Sequence, residues 1–157
     1  MPAHRPGPLV VRLLRAPAVL YDHNAGWLLG SRFIRLTHLG RRSGRTYQTV
    51  LEVVGTGPGG EVMVLAGLGR SADWLKNVQA HAALEVALGS RRFRPRHRIL
   101  DHDEAVAVLT DYERRNRWVA PVVRRVLSWL VGWRYDGSAE ARRRLTAELP
   151  IVAFRPE

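Results

Sequence analysis

Three textures of hydrophobic and polar positions follow one another along the chain. Between residues 9 and 29 the apolar positions Leu9, Val10, Leu13, Leu14, Ala18, Leu20 and Tyr21 recur at helical spacing, with Arg12 and Arg15 on the other side. That spacing predicts an N-terminal helix, kinked or broken at Pro17. Met1 to Pro8, with three prolines, reads as a disordered tail. From Arg32 the period shortens to two. "RFIRLTHL" alternates, Tyr47 to Val54 is rich in β-branched residues, and "EVMVLAG" follows a glycine-rich turn at Gly55 to Gly60. "LEVAL", Gly89-Ser90 and "RRFRPRHRIL" then predict a further hairpin, whose second strand is demoted by Pro95 to an edge or a bulge.

Helical spacing dominates the remainder. Ser71 or Asp73 is placed to cap a short helix ending near Ala80. Asp101 caps a helix from about Asp103 to Arg117, whose apolar stripe is Ala105, Val108, Leu109 and Tyr112. Tyr112 therefore belongs to the core. Pro121 suits the first turn of the next helix, which carries Val122, Val126, Leu127 and Leu130. "GWRYDGS" interrupts the pattern, Ala139 to Glu148 is a short basic helix, and "PIVAFRP" is a last strand. The sum is α+β: a five- or six-stranded antiparallel sheet with helices segregated around it, able to close into a small barrel. Residues 9–157 form one domain, with an N-terminal helix and a C-terminal helical segment.

Charge changes the picture. The formal net charge is +11, and Lys76 is the only lysine, so the excess is carried by arginine. Arginine's planar fork suits phosphate and carboxylate better than a lysine point charge does. Acidic partners follow: nucleic acid, an anionic membrane or a polyanionic small molecule. The chain has no cysteine, which excludes thiol catalysis and thiolate metal sites. His23, His38, His81, His97 and His102 show no ligand spacing, so no metal site is expected. No apolar stretch approaches the ~18 residues of a membrane span, and the chain reads as cytoplasmic.

The sharpest chemical signal is "GRRSGR" at Gly40 to Arg45, set between two strands. Gly40 and Gly44 let the backbone turn tightly, Ser43 adds a hydroxyl, and Arg41, Arg42 and Arg45 bring forked donors. Together they suit an anion cradle; a solvated basic hairpin turn is the plain alternative. The turn is followed at fixed order by Ala66-Gly67-Leu68-Gly69 and by Trp74 to Asn77. These three motifs in register resemble the deazaflavin-dependent nitroreductase family, over roughly Phe33 to Leu100 and again at "LPIVAFRP".

That resemblance implies a split β-barrel that binds coenzyme F-420, an 8-hydroxy-5-deazaflavin, and passes a hydride to a small electron-poor acceptor: a nitroaromatic, a quinone or an enone. It also implies roles. Arg41, Arg42 and Ser43, with Gly44 shaping the turn, hold the coenzyme's phosphodiester, and Arg45 reaches its glutamate tail. Tyr47, Thr49 and Leu51 run alongside it, Thr49 as a hydrogen-bond donor. Ala66, Gly67, Leu68 and Gly69 pass close to the ring, and Trp74 and Asn77 close the site. Trp133 and Tyr135 are the expected substrate contacts. The loop between Gly69 and Trp74 is shorter than in the best-known relatives, and Leu75 and Lys76 replace an aromatic and polar pair. No catalytic residue is assigned. FMN or haem in a related barrel, or a non-catalytic coenzyme carrier, are the alternatives.

Two basic features have other readings. Arg92, Arg94, Arg96 and Arg98 alternate along a strand as a nucleic-acid stripe would, but no aromatics alternate with them to stack bases, so no nucleic-acid partner is expected. "APVVRRVLSWLVGW" is amphipathic, with tryptophans beside Arg124 and Arg125. It suits packing on the barrel, a homodimer interface in place of a monomer, or peripheral membrane contact.

Overall fold

The computed structural model describes residues 32–157. The tail expected at 1–8 and the kinked helix expected at 9–29 lie outside the described residues. Seven strands are present: β1 (Phe33–Leu39), β2 (Thr46–Gly57), β3 (Glu61–Leu65), β4 (Glu85–Leu88), β5 (Arg91–Phe93), β6 (Pro95–Ile99) and β7 (Ile151–Pro156). They form one antiparallel sheet in the order β5-β4-β1-β2-β3-β7-β6. The helices are α1 (Asp73–Ala80), α2 (His102–Arg115), α3 (Ala120–Val131) and α4 (Ala139–Glu148).

The sheet has one strand more than the upper expectation, and Pro95 is the reason. It opens a new strand instead of interrupting one. A proline has no N–H for the ladder, so the first residue of a strand is where it fits. β5 and β6, separated only by Arg94, lie at opposite edges of the strand order. The sheet must curl to bring those edges to consecutive residues.

Strand β2 makes the bend. Its first half pairs with β1, from Leu39↔Thr46 to Phe33↔Glu52. Its second half pairs with β3, with a register shift between Val53 and Gly55. An extra residue at such a point increases twist and redirects the strand. Helix α2 packs on this bend: a Cβ on Gly55 would sit 3.0 Å from Val108 Cγ1.

Both faces of the curled sheet are covered. On one face Ile34, Leu36, Val62, Val64, Val86, Val152 and Phe154 enclose Trp74, Leu75 and Val78 of α1. On the other, Met63, Ile151 and Ala153 meet Leu100 and Ala105, and Leu109, Leu127, Tyr135, Leu145 and Leu149 form a cluster among α2, α3 and α4. The apolar residues of β7 from Ile151 to Phe154 are accordingly fully buried. Tyr112, expected in the core, is half-buried and donates its hydroxyl to Glu52 at 2.8 Å.

Caps differ in detail from the sequence reading. Asp101 accepts from the Glu104 N–H at 2.9 Å and starts α2 at His102. The N-cap of α1 is Ala72, with no side-chain cap. Ser71 turns away and donates to the Leu68 carbonyl, while Asp73 occupies the first helical turn.

Candidate functional site

The arginine turn is built on its glycines. Gly44 takes φ +68°, a conformation that side chains disfavour. Its N–H donates to the Gly40 carbonyl at 2.9 Å, and the Gly40 N–H donates to the Arg45 carbonyl at 2.8 Å. Ser43 Oγ accepts from the Arg45 N–H at 3.2 Å. A Cβ on Gly40 would sit 2.6 Å from Ser43 Oγ and 2.8 Å from a carbon of the Tyr47 ring. The bare glycine is what lets the ring lie over the turn.

Strand alternation supplies the floor. Ile34, Leu36 and His38 share the inward face of β1, and Leu51, Thr49 and Tyr47 stand opposite them on β2. The His38 and Tyr47 rings stack with centroids 6.0 Å apart. His38 is only 3% exposed. Its Nε2 lies 3.0 Å from Thr49 Oγ1, and its Nδ1 lies 3.1 Å from Asn77 Nδ2. Burial lowers its pKa from the ordinary histidine value, because a charged imidazole loses hydration there.

Asn77 joins this floor to the turn. It is 5% exposed, and its Oδ1 accepts from the Arg41 backbone N–H at 3.1 Å and from Arg41 Nη1 at 2.9 Å. Arg41 Nη2 donates to Asp73 at 3.3 Å. Helix α1 thus fixes the turn through one buried amide and one exposed ion pair.

These groups line a cavity of about 650 Å³ bounded by His38, Gly40, Arg41, Arg42, Ser43, Tyr47, Gln48, Thr49, Asp73, Trp74 and Asn77. Of the residues singled out in the sequence, Arg41, Arg42, Ser43, Tyr47, Thr49, Trp74 and Asn77 meet here. Gly44 and Arg45 belong to the same turn, outside the lining, and Leu51 lies further along β2 against the core. Among the described residues the guanidinium groups of Arg42 and Arg45 form no ion pair or hydrogen bond with the protein. Arg41 is already engaged, so Arg42 and Arg45 are the cations left for an anion.

The remaining candidates lie elsewhere. Ala66 is buried in the core around α1. Gly67 packs against Leu130 of α3, and Leu68 is exposed. Gly69 takes φ +70°, and a Cβ there would lie 3.1 Å from the Glu148 carbonyl. Packing against the C-terminal helices accounts for Gly67 and Gly69.

Trp133 and Tyr135, expected at a substrate pocket, do not line the cavity. After Gly132, at φ +76°, the chain folds back and the Tyr135 N–H donates to Ser128 Oγ at 2.8 Å. The ring enters the cluster of Leu109, Leu127 and Leu145, and its hydroxyl donates to Glu113, which Arg142 also binds. Trp133 donates Nε1–H to Glu148 at 2.9 Å under the Arg144 guanidinium. Both rings are held by packing.

Gln48 lies within the Tyr47 to Leu51 run expected beside the coenzyme, whereas His38 and Asp73 are lining side chains that the sequence did not assign to the site. For His38 a signal existed: it continues the inward series Ile34, Leu36 at the strand end that enters the arginine turn. Among the described residues no cluster of three histidine, aspartate or glutamate side chains converges as a metal would need. No described helix is long and apolar enough to cross a membrane.

The sequence model of the F420H(2)-dependent quinone reductase family matches residues 13–128. None of the curated proteins matches the chain. Among solved structures, a pyridoxamine 5′-phosphate oxidase-related, FMN-binding protein from Nostoc punctiforme is 13% identical with a TM-score of 0.51, over 96% of this chain and 81% of that one. A protein of unknown function from Agrobacterium tumefaciens is 17% identical with a TM-score of 0.52, over 100% of this chain and 59% of that one. An F420-H2 dependent reductase is 19% identical with a TM-score of 0.47, over 81% of this chain and 96% of that one. The curled sheet is a split β-barrel of the FMN-binding type.

Proposed function

Because the chain belongs to the F420H(2)-dependent quinone reductase family, and is an oxidoreductase whose cofactor is coenzyme F-420, we propose that the cavity between the arginine turn and α1 is where that coenzyme binds. The observation that carries this reading is convergence. Residues from the end of β1, from the turn, from β2 and from α1, separated by up to 39 positions, form one cationic cavity of about 650 Å³.

The residues fit the group. Arg42 and Ser43 are available to a phosphodiester, and Arg45, just outside the lining, to a carboxylate tail. Arg41 braces the turn on Asn77 and Asp73, which presets the donors before a ligand arrives and lowers the ordering cost of binding. Tyr47 and Trp74 offer apolar walls to a planar ring. Thr49 offers a hydroxyl from the floor. When bound, the reduced deazaflavin supplies the hydride; the protein supplies position, electrostatics and exclusion of water. A small electron-poor acceptor of the quinone, nitroaromatic or enone class is the substrate.

A fluorescence titration with F-420, beside FMN, tests this reading. Saturable and tighter binding of F-420 is expected. Arg42→Ala should weaken it about tenfold, the scale of one charge-assisted hydrogen bond, with Tm unchanged. Arg41→Ala should weaken binding and lower Tm as well, because Asn77 loses its guanidinium donor and Asp73 its ion pair. Preference for FMN, or indifference to Arg42→Ala, sinks the assignment.

A second reading concerns where the acceptor is met. Trp118 is 78% exposed, and Val122, Val126 and Trp129 continue an apolar stripe along α3 beside Arg117, Arg124 and Arg125. Such a stripe suits a cytoplasmic protein that touches an anionic membrane surface. Co-sedimentation with anionic but not zwitterionic vesicles, abolished by Trp118→Ser with Val122→Ser, is the expected result. Equal recovery in the supernatant with both vesicles dismisses it.

A further inference from the structure

We propose that His38 is a positioning residue of this site, which turns the Thr49 hydroxyl proton out of the protein's own network and into the cavity as a directed donor to the bound coenzyme. The inference rests on the reading of the cavity as the coenzyme site and adds to it the polarity of one hydrogen-bond chain.

The polarity follows from groups that have no choice. The Arg41 backbone N–H and Nη1 can only donate, and both face Asn77 Oδ1 at 3.1 and 2.9 Å. That fixes the amide, so its nitrogen is the atom 3.1 Å from His38 Nδ1. An amide nitrogen can only donate, so Nδ1 must accept and carries no proton. The single proton of the neutral imidazole is then on Nε2, facing Thr49 Oγ1 at 3.0 Å. The threonine oxygen accepts, and its own hydrogen must point elsewhere. Among the described residues the Thr49 hydroxyl has no other hydrogen-bond partner, and the residue lines the cavity. The chain of donors therefore starts at a backbone N–H of the arginine turn and ends on a hydroxyl aimed at the ligand.

Protonation breaks the chain at its Asn77 link. A proton on Nδ1 would face the Asn77 N–H, donor against donor, and the amide cannot rotate without abandoning Arg41. The groups that face the imidazole are Asn77 from α1, Thr49 and the Tyr47 ring from β2; the charges sharing this cavity are Arg41, held on Asn77, Asp73, held on Arg41, and Arg42. Among the described residues no carboxylate bonds the imidazole to stabilise a charge there. Burial acts in the same direction and favours the neutral ring.

The first test is long-range ¹H–¹⁵N NMR of the imidazole in the coenzyme-free protein, where the Nε2–H tautomer is expected. The second is F-420 affinity across pH. Thr49→Val should bind about tenfold more weakly than wild type, as loss of one hydrogen bond to a charged or strongly polar acceptor implies, and Thr49→Ser should restore it. Wild-type affinity should fall as pH drops below the ordinary histidine value of 6.5. The coenzyme's own titration is common to all variants and cancels. His38→Gln, which keeps a donor and an acceptor, should retain the affinity and lose the pH dependence. An Nδ1–H tautomer, or Thr49→Val binding as tightly as wild type, overturns the proposal. Wild-type protein that binds no F-420 at any pH overturns the reading of the cavity and the ligand half of this inference with it, and the tautomer then separates the two failures.

Discussion

Asn77 divides one amide between two jobs: its oxygen holds the arginine turn and its nitrogen holds His38. Replacing that nitrogen by an oxygen is therefore informative. In Asn77→Asp a carboxylate faces Nδ1, so a proton there becomes favourable, and the His38 pKa should move from below to above the ordinary value. An NMR titration of the imidazole reads the reversal directly. A His38 pKa that stays low in this variant contradicts the geometry of the pair. Asn77→Ala, which strands two buried donors and an acceptor, should cost about 1–3 kcal/mol of stability by urea denaturation. The sequence made Asn77 visible only as part of a Trp-x-x-Asn spacing, and His38 only through the alternation of its strand. Their contact spans 39 residues, and no local period encodes it. Histidines were weighed for ligand spacing, whereas this one follows strand alternation with Ile34 and Leu36. Trp133 and Tyr135 show the opposite case: aromatics in an irregular segment look available, yet Ser128 and Glu113 draw Tyr135 into the core.

Elements follow their local signals where those signals are steric. Pro95 starts a strand, Pro121 lies in the first turn of α3, Asp101 and Ser138 cap α2 and α4, and Gly132 ends α3 in the left-handed region. The cap of α1 could not be chosen from sequence, because Ser71 and Asp73 are equally good and neither is used. The Ala66–Gly69 connection shows how an element depends on a distant partner. Gly69 and Gly59 share nearly the same φ, +70° and +71°, but only Gly69 has backbone close to where a Cβ would stand, the Glu148 carbonyl at 3.1 Å. Gly59→Ala should cost about 1–2 kcal/mol, the conformational penalty alone. Gly69→Ala should cost clearly more, because α4 must also shift. Equal urea midpoints for the two variants would show that the end of α4 yields freely.

At the scale of the whole molecule, acid should weaken the fold at one identifiable step. His38 and His97 both have pKa values lowered by burial. The unfolded chain takes up protons at these groups near 6.5 while the folded chain resists, so stability is full above that value and falls as pH drops below it. The depressed carboxylates of Asp101 and Asp136 act in a lower window, below 3.8. Melting curves should be flat above about pH 7 and decline below 6.5, and His38→Gln should remove part of that decline. An unchanged Tm down to pH 5 would mean that both rings charge without penalty. The α+β class and antiparallel pairing were legible from alternation and turns; the strand order was not. β4 beside β1 and β7 between β3 and β6 are pairings of residues about 50 to 90 positions apart, for which short-range periodicity carries no information. The place of β7 has a temporal consequence. A ribosome delivers residues 151–156 after every other strand, yet they belong in an interior slot buried on both faces. Until they emerge, the edges of β3 and β6 stand open and Val62, Met63 and Val64 lack part of their cover. The nascent chain passes through a stage in which six of the described strands exist while the slot between β3 and β6 is empty, and that interval is when it most needs shelter from its neighbours.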